Sequence, residues 1–534
     1  MSESAAPEAS VLEEPAIQQA VATRERRGKH FFRAAVIGLI AGALGVLYAL
    51  TLFEAEKLRN GLLDALHSHA AWQWWAWAVL PAIGLIIGCF IGYTTRRFAP
   101  EASGSGIPHV KAVLVHVREM KWKWLMPIKF LNGILGAGIG LSLGREGPTV
   151  QLGAAAAKAV ADLLKLKKRA VPGLVALGSG AGLAAAFNAP LAGFIFVLEE
   201  LQREMSPLTY GGALVAAVSA DVVARYFLGQ VPSFNVTQNT AIPLGALPVV
   251  ALLGVVAGVF GVAFNKSLTG TLKQAHAMKR VPQWALPGIA GVMVGVTAWW
   301  LPDAIGAGHA IAESILLHTY GVGVLMLLAL FAVKFIMTVA SYASGAPGGI
   351  FAPMLLLGAV LGAVMGKAAG AVFPSLAGMS SAFAVLGMAA FFAASVRAPL
   401  TGIVLILEMT ANYQLLFALS VVCLVAYLVA DRMHDLPVYE ALLEYDLHRG
   451  GTKKTSEEPV SVVVSIQRGS KLEGKILRQA GLPKGSLVVG VERGGREMIP
   501  SAELVLVPGD HITVLVPGED VGMAMAVVDL ARQL

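Results

Sequence analysis

Near its middle this chain starts again. Gly38-Leu-Ile-Ala41-Gly42-Ala-Leu-Gly45-Val46 returns as Gly254-Val-Val-Ala257-Gly258-Val-Phe-Gly261-Val262, and Leu80-Pro81-Ala-Ile83 returns as Leu286-Pro287-Gly-Ile289. Ala189-Pro190-Leu191-Ala-Gly193, running to Leu198-Glu199, returns as Ala398-Pro399-Leu400-Thr-Gly402, running to Leu407-Glu408. Gly104-Ser105-Gly106 has a weaker echo in Gly306-Ala307-Gly308. The matched segments lie about 200 to 216 residues apart and keep their order, which marks an internal duplication. Any fold proposed for this chain has to be built twice.

The duplicated segments are apolar. The chain is 56% hydrophobic and 14% charged, with a mean hydropathy of +0.68, whereas a soluble chain carries about 25% charged residues. This is the composition of a polytopic membrane protein, and the 59 glycines suit closely packed transmembrane helices. Apolar spans are expected at 33–53, 72–94, 124–143, 146–164, 171–198 and 208–228 in the first half. The net charge of +7 reads as a positive-inside bias rather than nucleic-acid binding. Residues 1–23 are acidic and Ala-rich and show no cleavable signal peptide; Arg24, Arg26, Arg27 and Lys29 then precede the first span and place the N-terminus in the cytoplasm. Lys111, Arg118, Lys121 and Lys123 mark one cytoplasmic loop, and Lys165, Lys167, Lys168 and Arg169 another. From Tyr226 to Asn265 there is no charge, and the turn around Pro232-Ser233-Phe234-Asn235 is expected outside. One copy therefore starts from a basic, cytoplasmic flank and the other from an uncharged, external one. That is an inverted repeat, a design that places its sites near the midplane where broken helices meet.

Four stretches interrupt the apolar runs with Gly and Pro: Gly104-Ser105-Gly106-Ile107-Pro108, Gly144-Arg145-Glu146-Gly147-Pro148-Thr149-Val150, Gly178-Ser179-Gly180, and Gly345-Ala346-Pro347-Gly348-Gly349-Ile350-Phe351-Ala352-Pro353. Arg145 and Glu146 would each cost roughly 2.5–3.5 kcal/mol at bilayer depth, so they require a function. Pro just inside three of these stretches predicts helix starts, and irregular backbone at this depth is tolerated only where it lines a cavity or is buried in protein. Converging helix N-termini present free amides and positive dipole ends, which favours an anion. Glu146 sits at one such mouth as a resident anion, and the reading is an ion pathway gated by a carboxylate.

The three Pro-containing breaks resemble the signature stretches of the CLC chloride channel and transporter family, and Asn188-Ala189-Pro190-Leu191-Ala192-Gly193 fits it too. The likeness covers about residues 31–446 in order. It implies an all-α polytopic membrane fold of two inverted-topology repeats with many broken or tilted helices, assembled as a homodimer with one anion pathway per subunit. It also implies roles. Ser105 would donate its hydroxyl to the anion; Ile350 and Phe351 would offer backbone amides, as would Gly147; Tyr439, in Pro437-Val438-Tyr439, would be the pore tyrosine, with Tyr445 a nearby decoy. Glu146 matches the gating glutamate, and Glu200 the internal proton-transfer glutamate of the family's exchangers. Ser at position 105 suggests chloride. Glu199 has a repeat partner in Glu408 and reads as structural, whereas Glu200 faces Met409 and has none. Chloride/proton exchange is the expected activity, with a passive, gated chloride channel of the same fold as the alternative.

Past Leu447 the period changes. Val462-Val463-Val464, Leu487-Val488-Val489 and Ile512-Thr513-Val514-Leu515-Val516 read as strands, and Leu472–Ala480 and Val521–Leu534 as helices. This small cytoplasmic α+β domain resembles the C-terminal ligand-sensing domain of regulators of potassium conductance, a likeness carried by strand order and by Leu506-Val507-Pro508-Gly509-Asp510-His511-Ile512. It would bind a small-molecule ligand or only dimerise. The expected division is 1–30 as a cytoplasmic segment, 31–447 as the membrane domain (repeats about 31–228 and 246–447), 448–459 as a linker and 460–534 as a regulatory domain. A multi-pass inner or plasma membrane location follows, with both termini cytoplasmic. The expected partners are chloride, protons and membrane lipid, without nucleic acid.

Rival classes have weaker support. Gly136-Ala-Gly138-Ile-Gly140 follows no strand and reads as helix packing rather than a dinucleotide loop. Trp72, Trp74, Trp75, Trp77, Trp122 and Trp124 read as interfacial anchors. His109, His116, His309 and His318 have no metal-ligand companions at useful spacing, Cys89 and Cys423 sit inside apolar runs, and no metal or cofactor is expected. Without an HExxH or GxSxG motif the chain does not read as an enzyme, and without a Thr-Val-Gly-Tyr-Gly filter it does not read as a cation channel.

Overall fold

A computed structural model describes residues 13–68, 73–115, 117–166, 170–202, 207–234, 241–449, 460–493 and 496–517, with 523, 526–527 and 530–531 beyond them. Residues 1–12, the linker 450–459, Trp72, His116, Lys167, Lys168, Arg169, Asn235 and most of the expected helix Val521–Leu534 lie outside the described residues, as do the side chains of Arg24, Arg26, Arg27 and Trp74.

The first half runs α1 (Glu13–Ser68), α2 (Gln73–Ala76), α3 (Val79–Phe98), α4 (Ile107–Leu114), α5 (Trp122–Gly138), α6 (Glu146–Leu163), α7 (Val171–Phe187), α8 (Pro190–Phe196) and α9 (Pro207–Leu228). The second runs α10 (Leu247–Ala277), α11 (Leu286–Trp300), α12 (His309–Leu316), α13 (Val324–Ala343), α14 (Phe351–Val372), α15 (Ser380–Val396), α16 (Pro399–Thr410) and α17 (Leu416–Arg432), followed by α18 (Val438–Arg449). Leaving out the short α2, the order of long, half-length and broken helices is the same in both. Among the described residues, seven helices, α1, α3, α9, α10, α13, α14 and α17, contain stretches long and apolar enough to cross a membrane. Their outward faces carry exposed apolar side chains such as Phe53, Ile86, Val222, Leu325 and Phe417, the surface a lipid environment requires.

The halves meet through reciprocal contacts. Glu199 accepts from the amides of Leu400 and Thr401 at the start of α16, at 3.1 and 2.7 Å; Glu408 accepts from Leu191 and Ala192 at the start of α8, at 3.0 and 2.7 Å. Each repeat thus supplies the carboxylate that caps a helix of the other, a reciprocity that a twofold axis between them produces. Along the same seam α3 crosses α11 so closely that a Cβ on Gly84 would stand 2.4 Å from the Gly291 carbonyl oxygen.

Three expectations change. The span 171–198 is two helices: Asn188 adopts φ +58 and Pro190 starts α8, and the equivalent Arg397, at φ +65, separates α15 from α16. Gly178-Ser179-Gly180 is no break. It lies inside the continuous α7, where Ser179 Oγ donates to the Val175 carbonyl and a Cβ on Gly178 would meet the Gly153 carbonyl at 2.3 Å. These are packing glycines. The stretch Leu472–Ala480 forms turns and one 3₁₀ turn, Leu477–Gln479, rather than an α-helix, because part of its backbone bonds to a neighbouring segment: Gly474 N–H donates to Leu506, Leu477 N–H to Leu504, and Leu506 N–H back to Lys475.

The C-terminal sheet comprises β1 (Val460–Ser465), β2 (Leu487–Arg493), β3 (Arg496–Met498) and β4 (His511–Val516), antiparallel in the order β1-β4-β2-β3; β3 was not anticipated. Strict alternation on β4 turns Ile512, Val514 and Val516 into a core with Val462, Val464 and Leu472. Arg493 grips Asp510 with two charge-assisted bonds of 2.7 and 2.8 Å, and Asp510 also accepts from the Val507 amide. Although burial alone would push the Asp510 carboxyl up, Arg493 and the Val507 amide hold it below the usual aspartate value. Val115 and Val117, just past α4, pack against this core. The membrane helix that starts at the Ser105 loop therefore ends on the C-terminal domain.

Candidate functional site

Three of the four Gly/Pro breaks come together, and backbone pairing holds them. Gly144 and Gly349 exchange N–H···O bonds of 2.6 and 2.8 Å, and Gly348 N–H donates to the Gly104 carbonyl at 2.9 Å. Gly144 and Gly349 are equivalent positions of the two repeats, so their pair sits on the internal axis. Gly104 and Gly106 take φ +62 and +84, left-handed values that open the turn into α4 and that a side chain would resist. Lys129, fully buried in the apolar α5, secures this loop by donating to the carbonyls of Ala102 and Gly104 at 2.9 and 2.6 Å. Its repeat partner Lys334 does the same for Ile305 and Gly306, at 3.5 and 2.5 Å.

Ser105, Glu146, Gly147, Ile350, Phe351 and Tyr439 meet at this junction. A Cβ on Gly147 would lie 2.7 Å from both Ser105 O and Ser105 Oγ and 3.0 Å from Gly349 Cα, so only glycine lets the start of α6 approach the Ser105 loop. Ile350 caps α14 and Phe351 opens it, in contact with the rings of Phe187, Phe196 and Phe392. First-turn amides there have no carbonyl four residues back. Tyr439 stands in the first turn of α18, fully buried. Among the described residues, Ser105 Oγ, Tyr439 OH and both carboxylate oxygens of Glu146 are buried without a hydrogen-bond partner, although Ser105 and Tyr439 are neighbours. Such groups are rare in a folded interior, and clustered ones suit a polar or ionic guest. Tyr445 is not part of the cluster. Its hydroxyl bonds to His276 at 2.8 Å and to the Leu272 carbonyl.

Glu200 lies elsewhere, in a π-helical stretch, Val197–Gln202, that continues α8, and is buried. The expected place of Lys111 in a basic loop is corrected here: it is buried on α4, and its Nζ lies 2.7 Å from Glu200 Oε1 and 3.7 Å from Glu440. A helix start at Ile107 turns Lys111 inward one turn later, which its place in a basic run concealed. Sequence reasoning also missed Tyr342, whose hydroxyl lies 3.5 Å from the Ser105 amide, and His309, 3.6 Å from Glu146. Lys129 and Lys334 could have been found, as lone lysines inside apolar spans at equivalent places in the repeats. Among the described residues no group of acidic, histidine and cysteine side chains could hold a metal.

Comparison with known proteins agrees with this architecture. The family model described as voltage gated chloride channel matches residues 87–431, and that of the TrkA-C domain matches 462–528. The H(+)/Cl(-) exchange transporter ClcA of Citrobacter koseri is 37% identical over 435 residues, 80% of this chain and 91% of that protein. Its namesake from Salmonella typhi is 37% identical over 432 residues, 80% and 90% of the respective chains. Among solved structures, a slow cyanobacterial Cl-/H+ antiporter superposes with a TM-score of 0.75 at 33% identity, over 79% of this chain and 98% of that one. A eukaryotic CLC transporter, at 21% identity and a TM-score of 0.66 over 78% and 73%, shares the fold.

Proposed function

Because the chain belongs to the voltage gated chloride channel family and carries a TrkA-C domain, we propose that it exchanges chloride for protons across a membrane, with Glu146 and Glu200 as its proton-carrying carboxylates. The observation that carries this reading is the pair of buried carboxylates on one membrane domain, Glu146 at the junction of helix starts and Glu200 beside Lys111. Relatives named as H+/Cl- exchangers at 37% and 33% identity support it. Ionised, Glu146 competes with an anion for the helix starts of α6 and α14. Protonated, it loses that attraction, and chloride enters against Ser105 Oγ, the Tyr439 hydroxyl and the first-turn amides of Gly147, Ile350 and Phe351. Glu200 passes the proton on at the other end of its route. A carboxylate buried at 2.7 Å from Lys111 changes charge only when that pair opens, so protons move in step with the anion rather than leaking.

In this reading the protein is a homodimer in the cell membrane with a pathway in each subunit and both termini cytoplasmic. Residues 31–447 form the transport domain, and 460–534 a domain that binds a small ligand or dimerises. The test is proton movement in chloride-loaded liposomes under an imposed chloride gradient with the voltage clamped. Uphill proton pumping is expected in the wild type and lost in Glu200→Gln while chloride flux continues. Since that variant leaves Lys111 buried beside Glu440 alone, Lys111→Met/Glu200→Gln is measured with it. Chloride flux without a proton signal in the wild type would make the protein a passive channel.

A further inference from the structure

Glu146 is completely buried, so a proton that reaches it from water needs a carrier. α12 starts at His309, directly after Gly308 at φ +88, and this turn aims the imidazole at Glu146. His309 Nε2 lies 3.6 Å from Glu146 Oε1, a few tenths of an ångström beyond a hydrogen bond. Neither that nitrogen nor either Glu146 oxygen has another partner among the described residues. The two side chains differ sharply in access, with 29% of the His309 side chain open and none of Glu146. Phe234 lies against the ring, 5.4 Å between centroids, and is itself fixed by its amide to the Met409 carbonyl at 2.8 Å.

From this geometry, and resting on the exchange reading above, we propose that His309 is the proton relay between bulk water and Glu146. Water protonates the exposed ring; the Nε2–H bond then breaks as an O–H bond forms at Glu146 Oε1. The positive imidazolium and the negative carboxylate both become neutral, and because Nε2 is covered in this position, the ring takes its next proton once it turns Nε2 out to water. Histidine suits the task because its charge changes between pH 5 and 8. Its surroundings leave it one acidic partner. On α6, Lys158 and Asp162 pair with each other, and Arg145 stands beside Glu146 at the helix start. Arg59 of α1 is held by the Ala137 carbonyl and Lys334 of α13 by Gly306; Lys367 of α14 is held by Val322. α15 has no charged residue, Asp303 accepts from the Tyr320 hydroxyl, and Glu313 is a turn further along α12.

His309→Gln, at a partly exposed position that tolerates substitution, is tested in liposomes reconstituted with the full chain, with His309→Asn as a second variant. Chloride and proton fluxes are recorded together, with the pH varied on each side in turn between about 5 and 8. The variants are expected to slow both ions about tenfold or more near pH 7.5 with the exchange ratio unchanged. The deficit shrinks as one side alone is acidified, and imidazole added on that side restores the rate. Turnover within about twofold of wild type at every pH, or a loss that neither acid nor imidazole recovers, overturns the relay. A wild type that moves chloride without protons overturns the exchange reading as well. Exchange that is intact in the variants removes the relay alone.

Discussion

The two repeats share their scaffold and differ in their chemistry. Lys129 and Lys334 fasten equivalent loops, Glu199 and Glu408 cap equivalent helices, and Asn188 and Arg397 bend equivalent breaks. At the site the match fails. Glu146 stands opposite Phe351, Ser105 opposite Ala307, and Glu200 opposite Met409. Buried polar residues present in both copies satisfy backbone, whereas Ser105 Oγ and the Glu146 oxygens, present in one copy, have no such partner. Duplication therefore separates the residues that hold the fold from those free to act on a guest.

That separation can be broken by experiment. The largest effect is expected at an unduplicated position: Glu146→Gln should cut proton transport by about a hundredfold or more while the protein keeps its melting temperature. Proton pumping near the wild-type rate would end the distinction. Next come the paired lysines. Lys129→Met and Lys334→Met each strand two carbonyls in the interior, and each should cost about 2–5 kcal/mol of stability, read as thermal unfolding in detergent. If only one of the two destabilises, the repeats are not equivalent in their scaffolding.

Glu199→Gln and Glu408→Gln should each cost about 1–2 kcal/mol, since the half-buried carboxylates cap helices by charge-assisted bonds that water partly screens. Proton coupling should survive both, and a loss of coupling in Glu199→Gln would move that residue into the proton route. The smallest effect is expected outside the duplicated region. Asp510, whose carboxyl is held low by Arg493, contributes stability that is fully present above its ordinary value of 3.8 and disappears as pH falls through the lower folded value. Amide exchange in β4 should therefore quicken on acidification below pH 3.8 and already be faster at neutral pH in Asp510→Asn. Exchange unchanged in both would mean that the Arg493 pair does not hold the sheet.

Much of this was readable from the chain because local rules and global architecture agree. Pro108, Pro148 and Pro353 marked helix starts where α4, α6 and α14 begin, and alternation marked β1, β2 and β4. Errors arose where tertiary partners decide. Lys111 looked like part of a basic loop because burial depends on what packs around α4, and Leu472–Ala480 lost its helix to pairing with residues 504–506. His309 was weighed only as a metal ligand. Its carboxylate partner comes from the other repeat, beyond the reach of any spacing rule.

The exchanged caps also bear on how such a chain is made. When α8 leaves the ribosome, the carboxylate that will satisfy its first amides belongs to Glu408, which has not yet been synthesised. Those amides must find water or a temporary partner until the second repeat is inserted, because lipid offers none. The first half is thus a committed but unfinished intermediate, and its completion is postponed to nearly the last helix of the membrane domain. Truncation between the repeats would leave a membrane protein with an open helix end, a defect that quality-control machinery is built to recognise.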